Sequence, residues 1–226
     1  PANIRAGHVV VDVGCGPGFV AVELAKRVGA DGHVHAIDIN RDFVEHAKQL
    51  VRESRLANCV TVHLVDGGEL PLAPSSIDRV LAMNVMVYVD DPAATYREFR
   101  RVLKPGGIAH VVDSDWDLTL AEPVPRDLWS ELILAHASAF RTPNIGRRLF
   151  GYAKAAGFSA IEVQVVSRPD TVGRLLPMVR GLCNRAKKTR AMDPKRVEEI
   201  ERVLEEAAKS GTLLILNPQF MVTATA

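Results

Sequence analysis

The segment VVVDVGCGPGFVAVELAKRVG, residues 9–29, sets a β-branched run against a helical pattern, with three glycines at alternate positions between them. A strand must leave a sheet there, turn sharply and enter a helix. Glycine lets the backbone take positive φ and leaves the main chain open to a ligand. Amide groups at a helix start favour polar or anionic ligand groups. One glycine suffices for a tight turn. Three, at Gly14, Gly16 and Gly18, point to a bound cofactor. Its place is the C-terminal edge of the first strand, where the strand order of an open α/β sheet reverses.

The rest of the chain supplies such a sheet. Strand patterns occur at 8–13, 33–39, 59–65, 77–85, 108–114, 159–167 and 219–226. Helical patterns at 18–28, 41–55 and 90–103 separate several of them, with Asp91 as N-cap and Pro92 in the first turn. This rhythm means βαβ units and a buried, mostly parallel sheet. After Asp115 the rhythm breaks. Prolines at 123, 125 and 143 flank a helix predicted at 126–140, and further helices are predicted at 146–156, 172–190 and 194–209. Asp193-Pro194 caps the last, and Val197, Ile200, Val203, Leu204 and Ala207 form its apolar stripe. The expectation is one domain, 1–226, in which 116–150 and 171–211 form a helical cover on the acceptor side.

Composition narrows the classes. The chain is 47% hydrophobic and 24% charged, which suits a folded globular protein. Formal net charge is +1, so no global field draws it to nucleic acid or membrane. The basic run at 184–190 precedes an acidic helix and reads as half of a charge-balanced pair. No uncharged apolar run reaches membrane-span length. Cys15, Cys59 and Cys183 are odd in number and scattered, which predicts free thiols in a reducing, cytoplasmic compartment. No CxxC pair is present and no metal is expected; His33 and His35 alternate on the second strand without an assigned role.

The glycine spacing separates the cofactors. A dinucleotide fingerprint is G-x-G-x-x-G, but Phe19 stands where its third glycine belongs. A phosphate loop also fails, because no Gly-Lys-Ser/Thr follows. With Asp12 two residues before Gly14, with RVLKPGG before the fifth strand and with DGGELPLAPSSIDRVLA from 66 to 82, the chain resembles class I S-adenosylmethionine-dependent methyltransferases. The resemblance covers 8–113 and lies with the small-molecule, methyltransferase type 11 or UbiE-like branch.

That resemblance implies a Rossmann-like, doubly wound α/β fold. Its sheet has seven mostly parallel strands in the order 3-2-1-4-5-7-6, the last antiparallel. The implied cofactor is S-adenosylmethionine and the product S-adenosylhomocysteine. Gly14, Cys15, Gly16 and Gly18 would line its methionine and ribose part, and Asp12 would support that loop or meet the amino group through water. Asp38 would accept both ribose hydroxyls. Ile39 would pack on the adenine face, with Asp66 accepting from the adenine amino group and the Gly67 amide opposite the ring. Asn84 and Val85 would line the methionine end. Relatives carry a His-His pair after the fourth strand, where this chain reads NVMVYVDD. They also carry helices before the first strand; such a lid is expected to be absent or to lie outside this sequence.

The implied reaction is an in-line methyl transfer carried mainly by proximity. A base helps only a protonated acceptor. The candidates are Asp115, Tyr88 and His136, with Asp113 and Trp116 beside the first of them. Arg147 and Arg148 read as a solvated face. The expected acceptor is a small uncharged molecule bearing a ring or chain, and the expected assembly is a monomer or homodimer, with no nucleic-acid or membrane partner. Three rivals stand: a macromolecule-modifying methyltransferase, a nicotinamide-dependent oxidoreductase, and a non-catalytic module that keeps the cofactor. Asn84 is followed by Val-Met-Val rather than the Pro-Pro-aromatic run of base and amide methyltransferases, which weighs against the first.

Overall fold

The computed structural model describes residues 2–65, 67–137 and 139–226. In chain order these form β1 (Val9–Val13), α1 (Phe19–Val28), β2 (His33–Asp38), α2 (Arg41–Glu53), β3 (Val60–Leu64), β4 (Ile77–Met83), α3 (Pro92–Val102) and β5 (Leu103–Ser114). There follow β6 (Leu120–Glu122), α4 (Arg126–Ala137), α5 (Leu149–Ala155), β7 (Ser159–Val166), α6 (Leu176–Thr189), α7 (Pro194–Ser210), β8 (Leu214–Leu216) and β9 (Gln219–Thr225). By contact the chain divides into two compact units. The first takes the chain up to Asp113, Arg148–Gln164 and Met221–Ala226; the second takes Ser114–Arg147 and Val165–Phe220.

The sheet order is β3-β2-β1-β4-β5-β9-β7. Setting aside β6 and β8, which pair with each other, this is the expected 3-2-1-4-5-7-6. β1 lies parallel between β2 and β4, with Val10 opposite Val34 on one side and Arg79 on the other. Val10 and Val11 are wholly buried, as a strand covered on both faces requires. The last strand runs antiparallel to β5: Ala226 N donates to Gly107 O at 2.8 Å and Gly106 N to Ala226 O at 3.1 Å. The switch of direction between β1 and β4 opens a crevice at their C-terminal ends.

Helices α1 and α2 bury Ala21, Val22, Ala25, Ala47 and Val51 in one core with Val10, Val34, Ala36 and Val60. Tyr96 and Phe99 of α3 are fully buried, and Tyr96 meets Phe158 edge-on at 6.1 Å. Asp91 caps α3 by accepting from Ala94 N at 2.9 Å. The KPGG turn is a bulge of β5 rather than its entrance. Leu103 pairs with Ile77 and Ile108 with Arg79, so 104–107 loop out, with Gly106 at φ +76°.

The second unit has its own apolar centre, including Leu132, Leu182, Val197, Ile200, Leu204 and Ile215. The basic run on α6 meets the acidic α7: Lys187 pairs with Glu201 at 2.6 Å and Arg180 with Glu205 at 3.6 Å. α6 starts at Leu176 rather than 172, because Gly173 sits at φ +86° and Asp170 accepts from the amides of Val172, Gly173 and Leu175. The β6–β8 ribbon was not predicted; three residues a side are too few for an alternating pattern.

Leu132 is fully buried in the second unit. Leu132→Ala is expected to destabilise the protein by about 2–5 kcal/mol in urea unfolding. A loss within about 0.5 kcal/mol, the range of ordinary surface substitutions, would show that the helices do not share this core.

Candidate functional site

The turn after β1 is built by two kinds of glycine. Gly14, Gly16 and Gly18 all have left-handed φ, at +68°, +53° and +92°. Gly14 and Gly18 also lack room. A Cβ on Gly14 would stand 2.2 Å from Val85 Cγ2, and one on Gly18 would stand 2.9 Å from Ala47 Cβ. A Cβ on Gly16 would meet nothing within 4 Å, so the main chain is open there. The amides of Gly14 and Cys15 both donate to Ile37 O, at 2.8 and 3.0 Å, which ties the turn to the end of β2.

Asp38 completes the tie. Its Oδ2 accepts from Gly16 N and its Oδ1 from Asn40 N, each at 2.8 Å. Asp38 is 9% exposed, and each carboxylate oxygen keeps a lone pair beyond these bonds. Capping of α2 falls to Asn40, whose Oδ1 accepts from the Asp42 and Phe43 amides. Ile39 is 70% exposed beside it. Gly67 is exposed at φ +99°; Asp66 lies outside the described residues.

Asp12 is buried on β1, and its Oδ2 finds no partner among the described residues. Burial first, and then the charge of Asp38, push its carboxyl up to about 7. A buried, unpaired polar atom costs free energy that a ligand donor would return. Cys15 is also buried, and burial with the two nearby acids pushes its thiol up to about 12, far from a reactive thiolate.

At the end of β4, Asn84 takes φ +57° while its amide donates to Val112 O at 2.8 Å. Asparagine tolerates this region better than most residues. The next residue, Val85, is the one that occupies the space beside Gly14. A 3-10 turn over Met86–Tyr88 follows. Asp113, buried at the end of β5, accepts from Val87 N at 3.1 Å and so fixes this turn, which presents Tyr88 half exposed. Sequence reasoning placed Asp113 beside Asp115 as an acid; only the fold gives it this positioning role.

Asp115 and His136 lie in the second unit. Asp115 is fully buried, and Arg147 grips both its oxygens, through Nε on Oδ2 and through Nη2 on Oδ1 at 2.7 Å. For Asp115, expected as a base, the structure shows both oxygens already occupied by the Arg147 guanidinium, a charge-assisted pair. Arg147 and Arg148 are both exposed, as a solvated face requires, but Arg147 also reaches Asp117 at 3.3 Å. His136 sits against Trp116 and Phe140, with ring centroids 5.1 and 4.7 Å away, and Trp116 stacks on Phe140 at 5.2 Å. Its Nδ1 is buried without a partner among the described residues. Burial, helped by Arg185, lowers its pKa to about 4, so the ring is neutral. Helical spacing put His136 near Phe140; Trp116 joins them only in the fold.

A depression of about 490 Å³ on α1, lined by Phe19, Val20, Glu23, Leu24, Lys26 and Arg27, contains none of these acids. The glycine turn, with Asp12, Asp38 and Val85, is the chemically built place in the first unit.

A family model described as "Methyltransferase domain" matches residues 4–145. An uncharacterized 37.1 kDa protein of transposon TN4556 from Streptomyces fradiae is 39% identical over 184 residues, 80% of this chain and 52% of that protein. The methyltransferase GfsG of Streptomyces halstedii is 35% identical over 147 residues, 65% of this chain and 49% of that one. The chain thus spans about half the length of these curated relatives. The crystal structure of a SAM-dependent methyltransferase from Aquifex aeolicus matches with a TM-score of 0.57 at 24% identity, covering 73% of this chain and 78% of that one, a likeness of fold.

Two outcomes follow from this geometry. Gly14→Ala should cost about 2–4 kcal/mol in chemical unfolding, from steric overlap and left-handed strain together. Adding Val85→Ala should recover the steric share but not the backbone share; full recovery would contradict the φ argument. The second concerns pH. Asp12 binds its proton up to about pH 7 when folded, against 3.8 for an unperturbed carboxyl. It therefore removes stability as pH rises from about 4 to 7. The melting temperature of Asp12→Asn, minus that of the parent, should grow over this window, as read by circular dichroism. A flat difference would mean that Asp12 is ionised throughout.

Proposed function

This chain belongs to the class I S-adenosylmethionine-dependent methyltransferase family, and from that membership we propose that it methylates a small, uncharged, ring-bearing acceptor. One observation supports the cofactor assignment above the rest. The open edge of Gly16, the carboxylate of Asp38 at the end of β2 and the unpartnered oxygen of Asp12 on β1 gather around one turn. This is a cradle with acceptors free to meet hydroxyl and ammonium donors, which suits S-adenosylmethionine.

When bound, S-adenosylmethionine supplies a methyl group on a sulfonium cation to a nucleophile lined up behind it. The chain's residues hold and orient. Asp38 uses its remaining lone pairs for the ribose hydroxyls while its present bonds keep the Gly16 amide in place. Ile39 offers its exposed side chain to the adenine face, and the resemblance gives the ring edge to Asp66 and the Gly67 amide. Asp12 gives its unpartnered oxygen to the methionine amino end; a cation there lowers its pKa and removes the burial penalty. Asn84 and Val85, with Gly14, Cys15 and Gly18, shape the methionine end.

The segments expected to face the acceptor, 116–150 and 171–211, fall largely in the second unit, and we assign acceptor recognition to that unit. The neutral rings of Trp116, His136 and Phe140 suit an apolar ring. His136, with its pKa near 4, is neutral at neutral pH, with one ring nitrogen bare to accept a hydrogen bond and the other carrying its proton, and Asp115 is engaged by Arg147. Tyr88, on the turn fixed by Asp113, orients the acceptor. Catalysis is then mainly positioning, which effective molarity makes sufficient.

Calorimetry tests the cofactor. S-Adenosylhomocysteine should bind and NAD should not. Asp38→Ala should weaken the former at least tenfold, about 1.4 kcal/mol; unchanged affinity removes the ribose role. Labelled S-adenosylmethionine with a panel of acceptors tests the rest. Transfer to ring-bearing apolar compounds is expected. Transfer to polar compounds alone overturns the acceptor class, and transfer to none favours a binding module.

A further inference from the structure

Three histidines take no part in the site described above and share one face at the edge of the sheet. β3 is an edge strand, paired in parallel with β2 so that His35 faces Thr61 and Ile37 faces His63. Side chains alternate along a strand. Val34, Ala36 and Val60 enter the core with α1 and α2, which leaves His33, His35, Thr61 and His63 on the opposite face. The described part of the β3–β4 connection, 65 and 67–76, forms no helix to cover them.

The spacing of His35 and His63 is that of ligands, with His33 beside them. His35 Nδ1 lies 3.1 Å from His63 Nε2. Ring centroids are 4.8 Å apart for His33 and His35 and 5.3 Å apart for His35 and His63. Nitrogens bound to one tetrahedral ion at about 2.0–2.1 Å stand about 3.3 Å apart, with ring centroids about 5 Å apart. We propose that His33, His35 and His63 form a binding site for a transition-metal dication. Imidazole ligands suit zinc, copper and nickel.

In the present arrangement the nitrogens of His35 and His63 share one proton. The ion takes the place of that shared proton. His35 then carries its own proton on Nε2 and His63 on Nδ1, so no proton is released from the neutral pair. No three such groups converge on a point as the described residues stand. His33 supplies the third nitrogen by turning away from Thr61 Oγ1, now 2.9 Å from its Nε2. Solvent takes the fourth position. The ion would pin the edge strand β3 to β2, whose end carries Asp38.

Titration of the full chain with Zn²⁺ tests the proposal. One equivalent should bind, with a higher melting temperature. His35→Gln and His63→Gln should each weaken it at least about tenfold, His33→Gln less, and Cys59→Ser not at all. In the unmodified chain, which avoids any folding defect of a variant, substoichiometric Cu²⁺ should broaden the imidazole signals of His35 and His63 before those of His8, His46, His110 and His136. Absent saturable binding, unchanged affinity in the His35 and His63 variants, or first broadening at other histidines would each overturn the site.

Discussion

The hydrogen bond from the Gly16 amide to Asp38 holds the first unit's site together. It links the turn after β1 to the end of β2, and the two bonds to Ile37 O reinforce the link. Everything else in the turn adjusts to it. Gly14 can lie under Val85 and Gly18 against Ala47 only because neither carries a Cβ. Gly16 is left with its amide engaged and its other side open. A backbone held this way needs little reorganisation to receive a ligand, which is how preorganised sites gain affinity.

The same link brings two acids close together. Asp38 satisfies its oxygens with main-chain amides, whereas Asp12 does not satisfy Oδ2 among the described residues. Desolvation and the neighbouring charge therefore act on Asp12 and raise its pKa. Such a group reduces the stability of the empty fold and has more to gain from a cationic ligand. Strain and poor satisfaction at a functional site, tolerated because the surrounding sheet is well packed, are the expected pattern.

Elsewhere the fold uses charged side chains to hold backbone. Asp113 fixes the turn bearing Tyr88, Asp170 gathers three amides before α6, and Asp115 with Arg147 anchors the start of the second unit. Read singly, each looks like a candidate acid. A buried carboxylate already bonded to amides or a guanidinium has its role fixed by those partners.

The strand and helix rhythm, the turn after β1 and the caps at Asp91 and Asp193 were legible in the sequence. Period-2 and period-3.6 patterns, left-handed glycines and N-caps act over a few residues, so local order suffices to reveal them. The place of Asp38 at the end of the second strand was legible for the same local reason. The strand order came from the family resemblance, and the hydrogen bonding bears it out. What only the tertiary structure decided is which distant groups meet: Val85 on Gly14, Arg147 on Asp115, Trp116 on His136, His63 on His35. Those meetings depend on register and burial across the sheet and between helices. Neither is encoded within any window shorter than the fold.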